Sequence, residues 1–225
     1  MRTNGLVVAI DGPSGAGKST AGRALAAQLG YTYIDTGAMY RALALKASRA
    51  GVSLDSEEAL AALVRASSIQ LTDGGRRVLL DTYDVTGDIR SREISLASSL
   101  VSVHPGVRTE MVARQREMGK DGGVVLDGRD IGTAVFPDAE IKVFLVADPA
   151  ERARRRLAER GAAGDGVSVG AEARELVRRD ERDASREVAP LARASDAVLL
   201  DTTALGFDEQ VRAILDLVRE RRGGA

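Results

Sequence analysis

Residues 12–19 contain the feature that most constrains the fold of this chain. They read Gly-Pro-Ser-Gly-Ala-Gly-Lys-Ser and match the pattern G-x-x-x-x-G-K-[ST] at every fixed position. Residues 6–10 directly before them are all apolar and predict a buried strand, whereas helical spacing begins at Lys18 and stops at Gly30. A glycine-rich turn between a buried strand and a helix is the context of a phosphate-binding loop. The sequence therefore predicts a sheet in which strands alternate with helices.

The residue types of this loop indicate which ligand it suits. Glycines at positions 12, 15 and 17 allow a tight turn, and the following helix adds roughly half a positive charge at its amino terminus. Lys18 is expected to reach the β- and γ-phosphates, and the Ser19 hydroxyl is expected to bind Mg²⁺. The motif therefore indicates a nucleotide, without showing which reaction that nucleotide undergoes.

The charge and composition of the chain argue against several classes of function. With 32 basic and 33 acidic residues among 225, the charges nearly cancel, so no global field favours nucleic acid or an acidic membrane surface. The chain has no cysteine, which excludes disulfides and fits a reducing compartment. Its single histidine, His104, precedes Pro105 in a predicted turn, which argues against a histidine-based triad. No apolar run is long enough to span a membrane, and we expect one cytoplasmic, water-soluble domain.

The strand and helix of the loop are followed by a second such unit. Residues 31–34 alternate like a short strand, and residues 38–45 resume helical spacing, with Thr36 expected to cap that helix. Tyr40 and Arg41 then fall in the first turns of the helix, near the carboxyl ends of the strands, where ligands bind in open α/β sheets. We expect Arg41 to hold a second phosphate.

The middle of the chain has a different pattern. Residues 68–72 and 76–81 are strand-like, residues 73–75 (Asp-Gly-Gly) are a hairpin signal, and residues 83–85 add a third short strand. A small antiparallel patch within a strand–helix alternation predicts an insertion that folds over a site. Helices are predicted on either side of this patch, over residues 52–65 with Asp55 or Ser56 as cap, and over residues 91–102 and 106–118.

Charged residues follow the next predicted core strand. Residues 122–127 run apolar up to Asp127, as a Walker-B-like strand does, and we predict that Asp127 faces Mg²⁺ through water. Arg129 and Asp130 come directly after it, and two carboxylates flanking an arginine beside a phosphate loop are better explained as site residues than as a surface turn. Further strands over residues 141–146 and 197–201, with a closing helix over residues 207–221, complete a doubly wound, five-stranded parallel sheet.

Two charged helices joined by a glycine-rich tip are predicted before the last strand. The first begins at residues 148–149 (Asp-Pro) and carries five arginines, the tip covers residues 161–166, and the second covers residues 171–187. This arrangement resembles a lid. Arg152 with Arg155 or Arg156 shares one helical face, which makes that group the best donor set for a transferring phosphoryl.

Four separated motifs carry a resemblance that covers nearly the whole chain. They are IDGPSGAGKST, DTGAMYRALAL, DGRDIGTAVFPDA and RRDERDASREVAPL. In this order they resemble the bacterial cytidylate kinases, in the nucleoside monophosphate kinase group of P-loop kinases. The resemblance implies transfer of the γ-phosphoryl of ATP, with Mg²⁺, to CMP or dCMP, which gives ADP and CDP or dCDP.

The resemblance also implies how the chain is divided. We expect core segments over residues 1–60, 105–150 and 173–225, a small antiparallel and helical acceptor-binding insertion over about 61–104, and a short lid over about 151–172. We expect a monomer whose partners are small nucleotides, and neither nucleic acid nor a membrane.

The expected site residues fall into four sets. The set for ATP is Gly12, Pro13, Ser14, Gly15, Ala16, Gly17, Lys18, Ser19 and Thr20. The set for CMP is Thr36, Tyr40, Arg41, Ser99, Arg108, Arg129, Asp130, Arg179, Asp183 and Arg186, with Ser99, Arg108 and Asp130 near the cytosine and Asp183 on the ribose hydroxyls. The set around the moving phosphoryl is Lys18, Arg41, Asp127, Arg129, Arg152 and Arg156, and the metal set is Ser19 and Asp127.

Three other functions stay open at this point. A kinase for UMP, AMP or another small acceptor would share the loop and the lid. A nucleotide-hydrolysing switch protein is disfavoured because the sequence has no N-K-x-D guanine-reading motif. A nucleic-acid-binding module is disfavoured by the balanced charge and by the few aromatic residues.

Overall fold

The computed structural model of the chain describes residues 2–160 and 166–223. Its strands are β1 (Val7–Asp11), β2 (Thr32–Asp35), β3 (Ile69–Thr72), β4 (Arg77–Leu80), β5 (Tyr83–Asp84), β6 (Val124–Gly128), β7 (Ile141–Val146) and β8 (Val198–Asp201). Its helices are α1 (Lys18–Leu29), α2 (Thr36–Arg49), α3 (Glu57–Arg65), α4 (Arg92–Val101), α5 (Pro105–Gly119), α6 (Pro149–Arg160), α7 (Val169–Ala184) and α8 (Phe207–Gly223). None of these helices is both long and apolar enough to cross a lipid bilayer.

The main sheet has the strand order β2-β6-β1-β7-β8, and every neighbouring pair is parallel. The predicted five-stranded parallel sheet is confirmed. From the central strand β1 the chain goes first to the β2 edge and later, through β7, to the β8 edge. A crevice forms at such a switch point, outside the carboxyl ends of the strands, and the glycine-rich loop follows β1 directly into it.

Both faces of the main sheet are covered, which explains the uninterrupted apolar run of β1. Val8 and Ile10 point into a cluster with Leu25 of α1 and residues of α8. Val7 and Ala9 point into a second cluster on the other face, with residues of β6 and of the segment after it. Because successive side chains of a strand alternate between faces, a strand buried on both sides has no polar positions.

A third apolar cluster holds the middle of the chain together. It joins α2, α3, α4 and α5 with the small antiparallel sheet β3-β4-β5, and Met39, Leu60 and Met111 are fully buried in it. The predicted hairpin is confirmed, and residues 73–75 in its turn all have positive φ. The cluster contains α2, which directly follows β2, so this small sheet is anchored on the parallel core.

Several helix ends differ from the sequence-based expectation. Thr36 does not cap α2, because Asp35 occupies that position and its Oδ1 accepts a hydrogen bond of 2.7 Å from the Ala38 N–H. Thr36 is instead the first helical residue, and its hydroxyl donates to the Asp127 carbonyl. Helix α3 begins after Ser56, which is one of the two predicted caps. It does not begin at residue 52, because the chain turns at Gly51, which has φ +65°.

The two charged helices α6 and α7 pack against each other. Helix α7 begins two residues earlier and ends three residues earlier than predicted, with the Ser168 hydroxyl accepting from the Ala171 N–H at its start. The predicted glycine-rich tip at residues 161–166 lies, except for Gly166, outside the described residues.

Candidate active site

A cleft of about 680 Å³ opens at the carboxyl ends of the parallel strands. The glycine-rich loop and the start of α1 form its floor, α2 and α4 form one wall, and α6 and α7 form the other. Its volume lies in the range of small-molecule sites, and its position is the one that the switch point of the sheet predicts.

The loop is packed so tightly that two of its glycines cannot carry a side chain. A Cβ on Gly12, which has φ +140°, would lie 2.1 Å from the Leu145 carbonyl oxygen of β7. A Cβ on Gly15, which has φ +80°, would lie 2.9 Å from the Arg152 carbonyl oxygen of α6. The loop is therefore held between the central strands and the first charged helix.

Lys18 folds back over this loop. Its Nζ donates a 2.7 Å hydrogen bond to the Pro13 carbonyl, and its side chain is buried. Burial, together with the nearby Arg129 guanidinium, lowers the pKa of Lys18 to about 7. Because burial disfavours the charged form of Lys18 more than the nearby carboxylates favour it, a bound anion would stabilise the ammonium.

Ser19 and Asp127, the two predicted metal-site residues, are in contact at the other side of the loop. The Ser19 hydroxyl donates to Asp127 Oδ2 at 2.6 Å, and the Tyr33 hydroxyl donates to Asp127 Oδ1 at 3.0 Å. Burial and the neighbouring Asp35 carboxylate raise the pKa of Asp127. Hydroxyl and carboxylate oxygens suit a hard cation such as Mg²⁺. Within the described ranges no group of three or more His, Cys, Asp or Glu side chains could hold a metal ion, so a cation here would need further oxygens from a ligand or water.

A second polar centre lies on the α5 side of the cleft. Arg108 is only 2% exposed and forms an ion pair with Asp130, and its guanidinium carbon lies 6.0 Å from the centre of the Tyr40 ring. Burial raises the pKa of Asp130 although Arg108 opposes that shift, and burial raises the pKa of Tyr40 to about 12. This arrangement offers a buried donor and a buried acceptor side by side, as the edge of a planar base requires.

Asp183 connects this centre to α7. Arg129 Nε lies 3.0 Å from Asp183 Oδ2, and Arg186 pairs with Oδ1. Burial alone would raise the pKa of Asp183, but Arg129 and Arg186 outweigh it and the pKa is lowered. Asp183 therefore stays ionised and can accept hydrogen bonds. Ser99 lies behind it, with its hydroxyl 3.3 Å from Asp183 Oδ1.

Asp11, which no sequence signal singled out, links the loop to this second centre. Its carboxylate accepts from the Ile131 N–H at 2.8 Å and from the Gly132 N–H at 2.7 Å. These amides begin the irregular helical turn Ile131–Val135, directly after Asp130. Burial raises the pKa of Asp11 to about 7, even though both amides act to lower it.

Three arginines of α6, the first charged helix, point either toward the glycine-rich loop or toward Thr202. Arg152 donates to the Ser14 carbonyl and pairs with Asp180, and Arg156 donates to the Ser14 hydroxyl at 2.7 Å. Arg155 turns away and donates to the Thr202 carbonyl at 2.6 Å. The sequence left open whether Arg155 or Arg156 shares a face with Arg152, and the structure places Arg152 and Arg156 together at the loop.

Most of the expected site residues line this one cleft. These are Ser14, Gly15, Gly17, Lys18, Ser19, Thr20, Thr36, Tyr40, Arg41, Arg108, Asp127, Arg129, Asp130, Arg156, Arg179, Asp183 and Arg186. The remaining five expected residues, Gly12, Pro13, Ala16, Ser99 and Arg152, are not among the residues that line it.

Sequence reasoning missed a polar stripe on the cleft wall. Ser91, Ser95, Ser98 and Ser102 line the cleft from α4 and its flanks, together with Arg23, Asp35, Arg90 and Arg92. The four serines recur at helical spacing, so their common face could have been found from the sequence.

Comparison with known proteins identifies the family. A family model described as cytidylate kinase matches residues 8–220. The chain belongs to the cytidylate kinase family. The cytidylate kinase of Geobacillus sp. (strain WCH70) is 51% identical over 225 residues, covering 99% of this chain and 100% of that protein. The cytidylate kinase of Geobacter sp. (strain M21) is 48% identical over 223 residues, covering 98% and 96%. The resemblance drawn from the four sequence motifs is confirmed.

Solved structures support the fold of this family member. An uncharacterized protein from Eubacterium ventriosum ATCC 27560 superimposes with a TM-score of 0.52 at 13% sequence identity, covering 95% of this chain and 98% of that chain. At this identity the likeness shows the fold alone.

Proposed function

We propose that this protein is a cytidylate kinase that transfers the γ-phosphoryl of ATP to CMP or dCMP, giving ADP and CDP or dCDP. The observation that carries the proposal is the single cleft in which the phosphate loop faces the buried Arg108–Asp130 pair. Membership of the cytidylate kinase family supports the same reaction. The proposal includes a monomer that acts on small nucleotides in the cytoplasm.

On the donor side, residues 12–20 hold the phosphates of ATP. Lys18 neutralises the β- and γ-phosphates, and the tight packing of the loop fixes its backbone before the nucleotide arrives. Ser19 would bind Mg²⁺ directly and Asp127 would face it through water, and the bound ion would supply neutralisation of the phosphate charge.

On the acceptor side, Arg108, Asp130 and Ser99 approach the cytosine. The Asp130 carboxylate accepts from the exocyclic amine of cytosine, and Arg108 donates to its ring acceptors. Uracil carries an oxygen in place of that amine, and two acceptors facing each other repel, so this pair favours CMP over UMP. The ionised Asp183 accepts from ribose hydroxyls, while Thr36, Tyr40, Arg179 and Arg186 complete the wall.

The reaction itself needs positioning and charge neutralisation. The acceptor phosphate is already a nucleophile at neutral pH, so no general base is required. Lys18 and the four arginines Arg41, Arg129, Arg152 and Arg156 surround the moving phosphoryl. The segment over about 61–104 serves as the acceptor-binding insertion. The segment over about 151–172 serves as a lid that excludes water, which would otherwise hydrolyse ATP.

The proposal is tested by ADP release from ATP and Mg²⁺ with CMP, dCMP, UMP, AMP or no acceptor in parallel. Activity with CMP and dCMP far above that with UMP and AMP supports the proposal. A preference for UMP or AMP would reassign the acceptor within the nucleoside monophosphate kinases. An equal rate with and without acceptor would identify a nucleotide hydrolase and would contradict every acceptor-side assignment.

A further inference from the structure

Arg179 lines the cleft and forms no ion pair with a carboxylate among the described residues. Its hydrogen-bond partners among the described residues are two hydroxyls, Ser95 Oγ at 3.2 Å and Ser98 Oγ at 3.5 Å, and its buried Nε has no partner. Arg41 and Arg129, by contrast, each contact a carboxylate. Burial, together with the nearby positive charges, lowers the pKa of Arg179 to about 9. This environment calls for an anion beside Arg179.

Ser95 on α4 lies where Arg179 meets a second arginine. Its Oγ is 3.2 Å from Arg179 Nη1 and 3.2 Å from Arg156 Nη2. Guanidinium groups donate and never accept, so the Ser95 oxygen accepts from both. The same Arg156 donates to the Ser14 hydroxyl of the phosphate loop. Ser95 is therefore connected, through one side chain, to the donor loop.

The Ser95 hydroxyl differs from those of Ser98 and Ser102 on the stripe, because its hydrogen has no acceptor among the described residues. The Ser98 hydroxyl donates to the Ser95 carbonyl at 2.8 Å, and the Ser102 hydroxyl donates to the Ser99 carbonyl at 3.0 Å. For Ser95 no such donated bond occurs to any described residue. Two guanidinium donors also polarise this hydroxyl, which makes it a stronger donor toward an anion.

We propose that the Ser95 hydroxyl donates a hydrogen bond to an oxygen of the acceptor's phosphate and forms one anion site with Arg156 and Arg179. This inference rests on the proposed function, since it names the acceptor nucleotide as the ligand. A serine suits the position because a carboxylate there would repel the phosphate. Ser95 thereby contributes to the binding of acceptors that carry a phosphate and not to the binding of those that lack it.

The test compares CMP with cytidine, which lacks the phosphate. The KM for CMP and the Ki of cytidine as a competitive inhibitor are measured for wild type, Ser95→Ala and Ser98→Ala. Loss of a hydrogen bond to a charged group weakens binding by about 10-fold or more, so Ser95→Ala should raise the KM for CMP by about that factor. The Ki of cytidine should stay within about two-fold of the wild-type value. Ser98→Ala, on the same helix, should raise the KM for CMP by less than about three-fold.

Several outcomes would overturn this role of Ser95. A KM for CMP that stays at the wild-type value would show that the hydroxyl does not bind the phosphate. Equal weakening of CMP and cytidine, or equal effects of both substitutions, would show that Ser95 only shapes the α4 wall. A lack of CMP phosphorylation by the wild type would instead contradict the proposed function, and a direct titration of the three proteins with CMP would still test Ser95. Circular dichroism confirms that each variant is folded.

Discussion

Asp11→Asn tests whether burial or hydrogen bonding controls the charge of this carboxyl group. Two backbone N–H groups stabilise the ionised form, while removal from water disfavours it, and the second effect is larger because the pKa is raised from 3.8 to about 7. The unfolded chain therefore releases this proton at a lower pH than the folded chain. Between these two pKa values the unfolded state holds fewer protons, so the free energy of unfolding of the wild type falls as the pH rises.

The magnitude follows from the size of the shift. A difference of about three pKa units, at about 1.36 kcal/mol for each unit, is about 4 kcal/mol over the whole range. About 3 kcal/mol of this falls between about pH 5 and about pH 8. Asparagine does not titrate. The free energy of unfolding of Asp11→Asn, relative to wild type, should therefore rise by about 3 kcal/mol between these two pH values.

Urea unfolding of both proteins across this pH range measures the difference. Asp138→Asn is the matched control, since it makes the same Asp-to-Asn change at a side chain that is 74% exposed. The reasoning would be refuted if the difference in free energy of unfolding between Asp11→Asn and wild type stayed constant with pH. It would also be refuted if the wild type became more stable relative to the variant as the pH rose. Either result would mean that the two N–H groups balance or outweigh burial, so that Asp11 is ionised at neutral pH.

Four further predictions concern the reaction and the core. Lys18→Ala should lower turnover by orders of magnitude with an unchanged circular dichroism spectrum, because the charge on the phosphates is no longer neutralised; near-wild-type turnover would contradict its role. Asp183→Ala should mainly raise the KM for CMP, and an unchanged KM would count against a ribose contact. Chelation of Mg²⁺ should stop ADP release and added Mg²⁺ should restore it, whereas activity in the chelator would exclude a metal at Ser19 and Asp127. Leu60→Ala should lower the free energy of unfolding by about 2–5 kcal/mol in urea, since Leu60 is fully buried, and a loss below about 1 kcal/mol would show that the site collapses around the cavity.

The sequence was sufficient for the parts of the fold that local patterns determine. The loop, the five core strands and the hairpin at residues 73–75 follow from periodicity and turn chemistry, and each occurs where predicted. The cap of α2 did not follow, because Asp35 and Thr36 are both capping residues. In the structure Asp35 caps the helix, and the Thr36 hydroxyl donates instead to the carbonyl of Asp127, 91 positions away in the sequence.

In the candidate site, too, residues in local motifs could be predicted, whereas residues placed by distant contacts could not. The motifs identified the residues on the loop and after β6, because these side chains follow directly from strand ends. Asp11 escaped notice because its partners, Ile131 and Gly132, lie about 120 positions away in the sequence. Arg155 and Arg156 are adjacent in the sequence, and only the packing of α6 against the loop decides which of them faces the cleft.

The scarcity of lysine has a consequence for chemical labelling. The sequence holds lysine only at positions 18, 46, 120 and 142. Lys142 and Lys46 form ion pairs with Asp196 and Asp81, and Lys120 is exposed but has its pKa raised by the hydrogen bond that it donates to Glu117. An ordinary lysine carries less than about one part in a thousand of free amine at neutral pH. Because burial lowers the pKa of Lys18 to about 7, a far larger fraction of its amine is free at neutral pH than in an ordinary lysine. Among the four lysines, Lys18 is therefore the one that a small amine-directed reagent entering the cleft is expected to modify most readily.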